Sequence, residues 1–133
     1  MNKKQIIAFN LENKQYGIEI GSVIDVYEKM DAVRVPGSED YIEGIINLRG
    51  DVVTLIDLKT RLRIDRTKED QNVIICEVNK EKFGLTVDSL KGILDYDSSQ
   101  SEEKIDSGFV RGFMEDKDNE IMILDLNKII TKT

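Results

Sequence analysis

The stretch at residues 35–58, VPGSEDYIEGIINLRGDVVTLIDL, carries the strongest structural signal in the chain. It contains the protein's single proline, Pro36, and two runs of aliphatic, mostly β-branched residues on either side of Arg49 and Gly50. Such runs favour β-strands, and a two-residue connection that ends in glycine is typical of a tight hairpin turn, which needs positive φ. The stretch therefore predicts a β-hairpin with its corner at Arg49 and Gly50.

The composition indicates a single globular domain and excludes several kinds of function. The 133 residues are 40% hydrophobic and 34% charged, which suffices for one compact domain with its own core. The net charge of −7 argues against a nucleic-acid partner, because such partners select a basic surface. The chain has no histidine, the commonest general base and transition-metal ligand, and no glycine-rich phosphate-binding motif. A hydrolase or transferase that uses carboxylates and a divalent metal remains as the enzymatic alternative.

Three features predict a cytoplasmic protein. No apolar run is long enough to span a membrane, and the first residues, MNKKQIIAFNLEN, lack the apolar core of a signal peptide. The single cysteine, Cys76, agrees, because small secreted domains usually carry paired cysteines. Cys76 ends the apolar run VIIC at 73–76, which predicts a buried strand and an unreactive thiol.

The chain contains an internal repeat. Residues 72–94 align without a gap on residues 5–27, so that two strands, the turn between them and a following serine recur in one register. These serines, Ser22 and Ser89, are good helix N-caps, and apolar residues recur at helical spacing after Ser22. We therefore expect a short helix at this point in each copy, followed by a hairpin and a terminal helix.

The second part of the repeat aligns at two offsets. An offset of 64 residues pairs Gly44 with Gly108, and an offset of 68 pairs Asp57 with Asp125. Residues present in both copies serve the shared architecture, so we expect the glycines to meet backbone requirements and each aspartate to cap the helix that follows it. In this alignment the second hairpin is four residues longer and has an acidic turn at 115–120.

Arg49 has no counterpart in this alignment, which places it opposite Gly112. An arginine at a hairpin corner is often only a solvated charge. When a rigid hairpin holds it, however, the guanidinium is pre-organised to meet a carboxylate or a helix C-terminus of a partner. We therefore expect function at the corner that carries Arg49.

Basic residues concentrate after the first hairpin. Five of them form one cluster: Lys59, Arg61, Arg63, Arg66 and Lys68. The cluster predicts either a solvated helix face with a loop or a docking patch for an acidic partner. The polar segments 31–43, 65–71 and 95–106 are the expected surface connections.

Taken together, these residues resemble the CheW family of chemotaxis coupling proteins. The resemblance covers nearly the whole chain and is carried by INLRG, its flanking PG, EG and IDL elements, and the preceding YGIEIGSVIDVYE. One departure is Thr54, where the family usually has proline. The resemblance implies a single CheW-like domain over 1–133, with repeat halves of roughly 5–64 and 72–131. The implied fold class is all-β with short helices: two packed five-stranded SH3-like barrels that arise from the internal duplication.

The resemblance also implies a function. CheW-like proteins are non-enzymatic adaptors that link the cytoplasmic tips of transmembrane chemoreceptors to the regulatory domain of the histidine kinase CheA, without a cofactor or metal. The receptor-facing candidates, carried over by position, are Val23, Asp25, Val26, Gly44, Arg49, Val87 and Leu90. The kinase-facing candidates are Val33, Val35 and Val52. Core packing is the alternative role for these aliphatic residues. Packing of the protein against itself in arrays, and service in a twitching or developmental array, also remain open.

Overall fold

The structure of the protein, a computed structural model, describes residues 3–97 and 108–131. Within these residues the chain forms ten strands, two short α-helices and a 3-10 helix at Ile20–Ser22. The strands are β1 (Lys3–Leu11), β2 (Lys14–Glu19), β3 (Val23–Glu28), β4 (Ile42–Leu48), β5 (Asp51–Asp57), β6 (Asn72–Val78), β7 (Glu81–Val87), β8 (Ser89–Asp97), β9 (Val110–Asp116) and β10 (Asn119–Leu124). The helices are α1 (Leu58–Arg61) and α2 (Leu126–Ile130).

The strands form two five-stranded sheets, which confirms the expected fold class. Sheet 1 has the order β8-β1-β2-β10-β9, and sheet 2 has the order β3-β6-β7-β5-β4. Neighbouring strands are antiparallel except for β2 with β10 and β5 with β7. Each sheet therefore has one parallel pair at an equivalent place.

The two copies of the repeat exchange strands. Five strands and a helix occur in the same order twice, first from β1 to α1 and then from β6 to α2. Sheet 1, however, combines β1 and β2 of the first copy with β8, β9 and β10 of the second, and sheet 2 combines β3, β4 and β5 with β6 and β7. The repeat predicts two units that pack against each other, whereas each sheet in fact draws on both copies.

The central strands are buried on both faces, which explains their uninterrupted apolar sequences. In β1, Ile6 belongs to a core within sheet 1, whereas Ile7 and Phe9 belong to the large core shared by both sheets. In β6, Val73 lies in the core of sheet 2 and Ile74 in the shared core. Alternate side chains of one strand therefore enter different cores, and each fully buried aliphatic side chain contributes roughly 1.5–3 kcal/mol.

The prediction of short helices after Ser22 and Ser89 is wrong, because both segments are strands. β3 pairs with β6 and β8 pairs with β1, each with one bulge. Ser22 ends the 3-10 helix instead of capping a helix. As strands, these segments form hydrogen bonds to β6 and β1 through every second residue. As short helices they would be only marginally stable on their own. Tertiary pairing therefore overrides the helical spacing of the apolar residues.

The hairpin predicted at Arg49 and Gly50 is present. Leu48 pairs with Asp51, so the loop has two residues. Arg49 and Gly50 both have positive φ, 55° and 89°, which defines a type I′ turn. The N–H of Gly50 donates to Oδ1 of Asn47 at 3.1 Å, which fixes the corner from inside.

The structure corrects the alignment of the second hairpin. Asp116 pairs with Asn119, so this loop also has two residues, and the hairpin is not four residues longer. An offset of 68 residues then relates both hairpins over their whole length. The counterpart of Arg49 is Lys117, which has a positive φ of 61° in the same position, and not Gly112. The second hairpin therefore does have a basic residue, Lys117, at the position equivalent to Arg49.

The bases of the two hairpins agree with this offset. The N–H of Asp57 donates to the carbonyl of Tyr41, and the N–H of Asp125 donates to the carbonyl of Phe109, both at 2.8 Å. Each aspartate side chain also accepts the N–H three residues further on, at the start of α1 or α2. The prediction that both aspartates cap helices is confirmed.

Cys76 is a fully buried free cysteine in the shared core. Burial raises the pKa of its thiol to about 12, so the thiolate is scarce at neutral pH. The prediction of an unreactive structural thiol is confirmed. No helix among the described residues is long and apolar enough to cross a membrane.

The connections differ in part from expectation. Val35 to Ser38 form a turn in which the N–H of Ser38 donates to the carbonyl of Val35 at 3.2 Å, with Gly37 at a φ of 83°. Within 65–71, Asp70 is buried and not a surface residue. Strand β8 extends to Asp97, and 98–106 lies outside the described residues.

Candidate partner-binding surfaces

The receptor-facing candidates of β3 and β8 lie on sheet edges. β3 is the outer strand of sheet 2 and β8 is the outer strand of sheet 1. Val23 and Val26 are half-buried against the shared core, whereas Asp25 is exposed and its Oδ1 accepts the N–H of Val26 at 2.8 Å. Leu90 is 36% exposed on β8. These four residues can therefore contact a partner at least in part.

Two exposed residues of the same strands were missed from the sequence. Ile24 on β3 is 48% exposed and Ile93 on β8 is 56% exposed. Single exposed aliphatic side chains are common on protein surfaces, so their exposure makes these two residues available for contact without marking a site by itself. The predicted helix did not indicate that Ile24 is exposed. In a strand, successive side chains point to opposite faces, so Ile24 lies on the face opposite to that of the half-buried Val23.

Two receptor-facing candidates are not available for contact. Val87 is completely buried in the shared core, so we exclude it from the surface. Gly44 is also buried, with a φ of 154°, and a Cβ there would lie 2.5 Å from the carbonyl oxygen of Val33. Val33 forms a bridge with Ile45 at this place, so Gly44 allows the 31–41 segment to approach β4. By the corrected offset, its counterpart is Gly112.

Arg49 is exposed at the corner of the first hairpin. Asp51, the nearest acidic residue along the chain, pairs instead with Lys82, whose Nζ lies 2.6 Å from Asp51 Oδ2. Among the described residues, Arg49 forms no salt bridge. Its guanidinium is thus presented by a rigid turn without an anionic partner.

The kinase-facing candidates form an exposed apolar surface beside this corner. Val33 is 70% exposed, Val52 is 64% exposed and Val35 is 37% exposed. Val33 and Val52 line a shallow groove whose other lining residues are Met30, Asp31, Ile45, Ile46 and Asn47. The groove lies at the β4 edge of sheet 2, next to the Arg49 corner.

Within the basic cluster, Lys59 contradicts both interpretations because its side chain is completely buried, whereas Arg63, Arg66 and Lys68 are exposed. Its Nζ lies 2.7 Å from Glu12 Oε2, 2.5 Å from Asp88 Oδ1 and 3.7 Å from Asp70 Oδ1, and it donates to the carbonyl of Lys68 at 2.7 Å. Glu12 also accepts the N–H groups of the 67–68 segment, and these contacts lower its pKa strongly, with the Lys59 contact as the largest cause. The network joins the β1–β2 turn, α1, the 65–71 connection and the end of β7.

Arg61 is also buried and serves the contact between the copies. Its guanidinium carbon lies 4.1 Å from the ring centre of Tyr41 and 4.7 Å from that of Phe109. It donates to the carbonyls of Lys128, Ile129 and Thr131 at the end of α2. Arg61 thus stacks between equivalent aromatic residues of the two copies and caps the second helix.

One group of carboxylates among the described residues could hold a metal. Oxygens of Glu43, Asp57 and Asp70 lie within 4.8 Å of one another. The guanidinium of Arg66 already pairs with Asp57 and Asp70, so the protein supplies its own cation there. No local pattern predicts this group, because its members are separated by 13 or more residues and come from three segments.

The family model described as "CheW-like domain" matches residues 5–133. The chain belongs to the CheW-like domain family. Among its relatives, the chemotaxis protein CheW of Bacillus subtilis is 27% identical over 137 residues, covering 97% of this chain and 88% of that protein. CheW of Klebsiella aerogenes is 28% identical over 99 residues, and the match covers 73% of this chain and 60% of that protein.

A solved structure supports the same family. The scaffolding protein TtCheW from Thermoanaerobacter tengcongensis is 35% identical, with a TM-score of 0.81, and the match covers 92% of this chain and 88% of that one. The CheW-like fold of two five-stranded sheets is therefore shared over almost the whole described chain.

Proposed function

We propose that this CheW-family protein is a non-enzymatic adaptor of bacterial chemotaxis that couples transmembrane chemoreceptors to the histidine kinase CheA. The family supplies the class of function. The observation that carries the proposal in this chain is the first hairpin, where the unpaired Arg49 lies beside the exposed Val33 and Val52. Exposed aliphatic side chains beside a guanidinium are typical of a surface that binds a protein partner.

For the receptor, the candidate surface combines the outer strands β3 and β8 with the Arg49 corner. Asp25 and Leu90 supply exposed contacts, and Val23 and Val26 form the apolar floor. A helical receptor tip would bury these residues and direct a carboxylate or helix end toward Arg49. Ile24 and Ile93 add exposed aliphatic side chains on the same two strands, whereas the buried Val87 contributes only to the core.

For the kinase, the candidate surface is the groove lined by Val33 and Val52; Val35 lines a separate groove with Tyr41. Exposed aliphatic residues on a rigid strand edge suit a stable, largely apolar contact with the end of another small barrel, such as the regulatory domain of CheA. The protein would act in the cytoplasm, recruited to receptor arrays. The same surfaces would serve a twitching or developmental array and packing of the protein against itself.

Receptor binding tests the role of Arg49. Arg49→Glu reverses the charge at the corner, and we expect it to abolish capture of the protein by receptor cytoplasmic fragments while the melting temperature stays unchanged. Lys117→Glu is the matched control, because Lys117 occupies the same positive-φ position in the second hairpin. Equal binding by the two variants would remove Arg49 from the site.

Co-purification tests the function as a whole. A tag on this chain should recover both a chemoreceptor and a histidine kinase from cells. An eluate that contains neither partner would overturn the proposed function, and recovery of a kinase and receptor from a non-swimming system would assign the alternative array.

A further inference from the structure

Three carboxylates meet at the base of the first hairpin. Oxygens of Glu43 on β4, Asp57 at the end of β5 and Asp70 in the connection before β6 lie within 4.8 Å of one another. Arg66, from the same connection, contacts two of them: its Nη1 lies 3.2 Å from Asp70 Oδ2, and its Nη2 contacts Asp57 Oδ2. We call these four residues the Glu43 cluster.

The charges of the Glu43 cluster do not balance. One guanidinium faces three carboxylates, and it contacts only Asp57 and Asp70. Asp70 is additionally 3.7 Å from Lys59, but that lysine is shared with two other carboxylates. The side chain of Glu43 is half-buried and forms no hydrogen bond or salt bridge with any described residue. Glu43 is therefore the member left without a cation.

We propose that the Glu43 cluster is a proton-dependent contact, which holds the 65–71 connection against the base of the first hairpin most firmly when Glu43 is protonated. A neutral Glu43 removes the repulsion among the three carboxylates. Its O–H can also donate to a neighbouring carboxylate, which an ionised Glu43 cannot do.

The charged surroundings of Glu43 support this assignment. Burial raises the pKa of Glu43, and the negative charges of Asp70 and Asp57 raise it further. Arg66 and Lys29, which follows β3, act in the opposite direction but do not reverse the change. The net effect of these groups is a raised pKa, which favours the neutral form of Glu43.

The sign of the pH dependence follows from the raised pKa. The folded protein holds the Glu43 proton more tightly than the unfolded chain does, so this contribution to stability is complete below the unfolded pKa. It is lost as the pH rises through the folded pKa. The Lys59–Glu12 network has the opposite dependence, because the pKa of Glu12 is lowered and its contribution is lost as the pH falls.

Substitution of Glu43 by glutamine tests the proposal. Glu43→Gln copies the neutral form and cannot titrate. Urea unfolding of the full chain from about pH 4.5 to about pH 7.5 should show the unfolding constant of the wild type rising relative to that of the variant, by up to about tenfold per pH unit between the two pKa values. Glu28→Gln, at an exposed position on β3, should keep the wild-type dependence.

Two results would overturn the proposal. One is a Glu43→Gln variant whose unfolding constant follows the wild-type pH dependence. The other is a marked rise in the wild-type melting temperature with Mg²⁺ or Ca²⁺ that Glu43→Gln abolishes, which would make the cluster a cation site. A carbon-13 titration of the Glu43 carboxyl with a midpoint above that of ordinary glutamates would support the proposal independently of stability.

Discussion

The two hairpins of the molecule have the same length and strand register but carry different side-chain chemistry. Both have two-residue loops with a basic residue at positive φ, and both are anchored by an equivalent hydrogen bond at the base. At equivalent positions, however, the first has Leu48 and Val52 where the second has Asp116 and Glu120. Asp116 lies 3.9 Å from Lys91 of β8, whereas Leu48, at the equivalent position, packs partly buried against the core of sheet 2.

This difference separates what the fold requires from what the surface does. Loop length, positive φ and the helix caps occur in both copies and belong to the architecture. At the first hairpin Val52 is exposed beside the Arg49 corner, whereas the equivalent position of the second hairpin is Glu120. The two copies of the duplication therefore differ at these positions, with aliphatic residues at the first hairpin and acidic residues at the second.

The largest effect is expected at the helices that follow the hairpins. Lys59 of α1 is buried among three carboxylates, whereas its equivalent Asn127 of α2 is exposed. Lys59→Met should reduce the free energy of unfolding by about 3–5 kcal/mol, because it leaves buried carboxylates without a cation. Asn127→Met should change it by less than about 0.5 kcal/mol. Urea unfolding measures both, and similar losses would contradict the asymmetry.

A smaller effect is expected in kinase binding. Val52→Lys places a charge in the apolar groove, so affinity for the CheA regulatory domain should fall by about 2 kcal/mol, roughly thirtyfold in Kd. The matched control is Glu120→Lys at the equivalent position of the second hairpin. Titration calorimetry measures the Kd of each variant for the CheA regulatory domain. If Glu120→Lys weakened binding as much, the second hairpin would belong to the kinase surface.

The smallest effect concerns the turns. Gly50 has a positive φ, whereas its equivalent Asp118 does not. Gly50→Ala should therefore cost about 1 kcal/mol of folding free energy, since an L-residue is disfavoured in this conformation. Asp118→Ala should be close to neutral. Thermal unfolding compares the pair, and a neutral Gly50→Ala would show that the first corner can relax into another turn type.

Much of the fold could be predicted because its signals are local. The Arg49–Gly50 turn, the caps at Asp57 and Asp125 and the double-sided burial of 73–76 depend on residues adjacent in sequence. Strand β3 could not be predicted in this way. Its apolar spacing suits a helix, and only pairing with β6, about 50 residues away, selects the strand.

The candidate site was predictable in part, for a similar reason. Val33 and Val52 are carried over by position from the family resemblance, and the structure shows both side chains exposed. The burial of Lys59 and Arg61 depends on partners distant in sequence, Glu12 and the end of α2, which no local pattern reveals. The pairing of Arg49 with Gly112 in the sequence alignment was wrong for a different reason. Glycines recur at similar spacings in this part of the chain, and only the hydrogen-bond register identifies Lys117 as the counterpart of Arg49.

The exchange of strands between the copies also constrains how the protein can be made. Synthesis of the first copy releases two strands of sheet 1 and three of sheet 2, and neither set is a complete sheet. Sheet 2 cannot form completely until β6 and β7 have been synthesised. Sheet 1 also requires β10, which pairs with β2 and is synthesised about 100 residues later than β2. Folding is therefore completed only after most of the chain is translated, and the early strands depend on the nascent chain avoiding other partners until then.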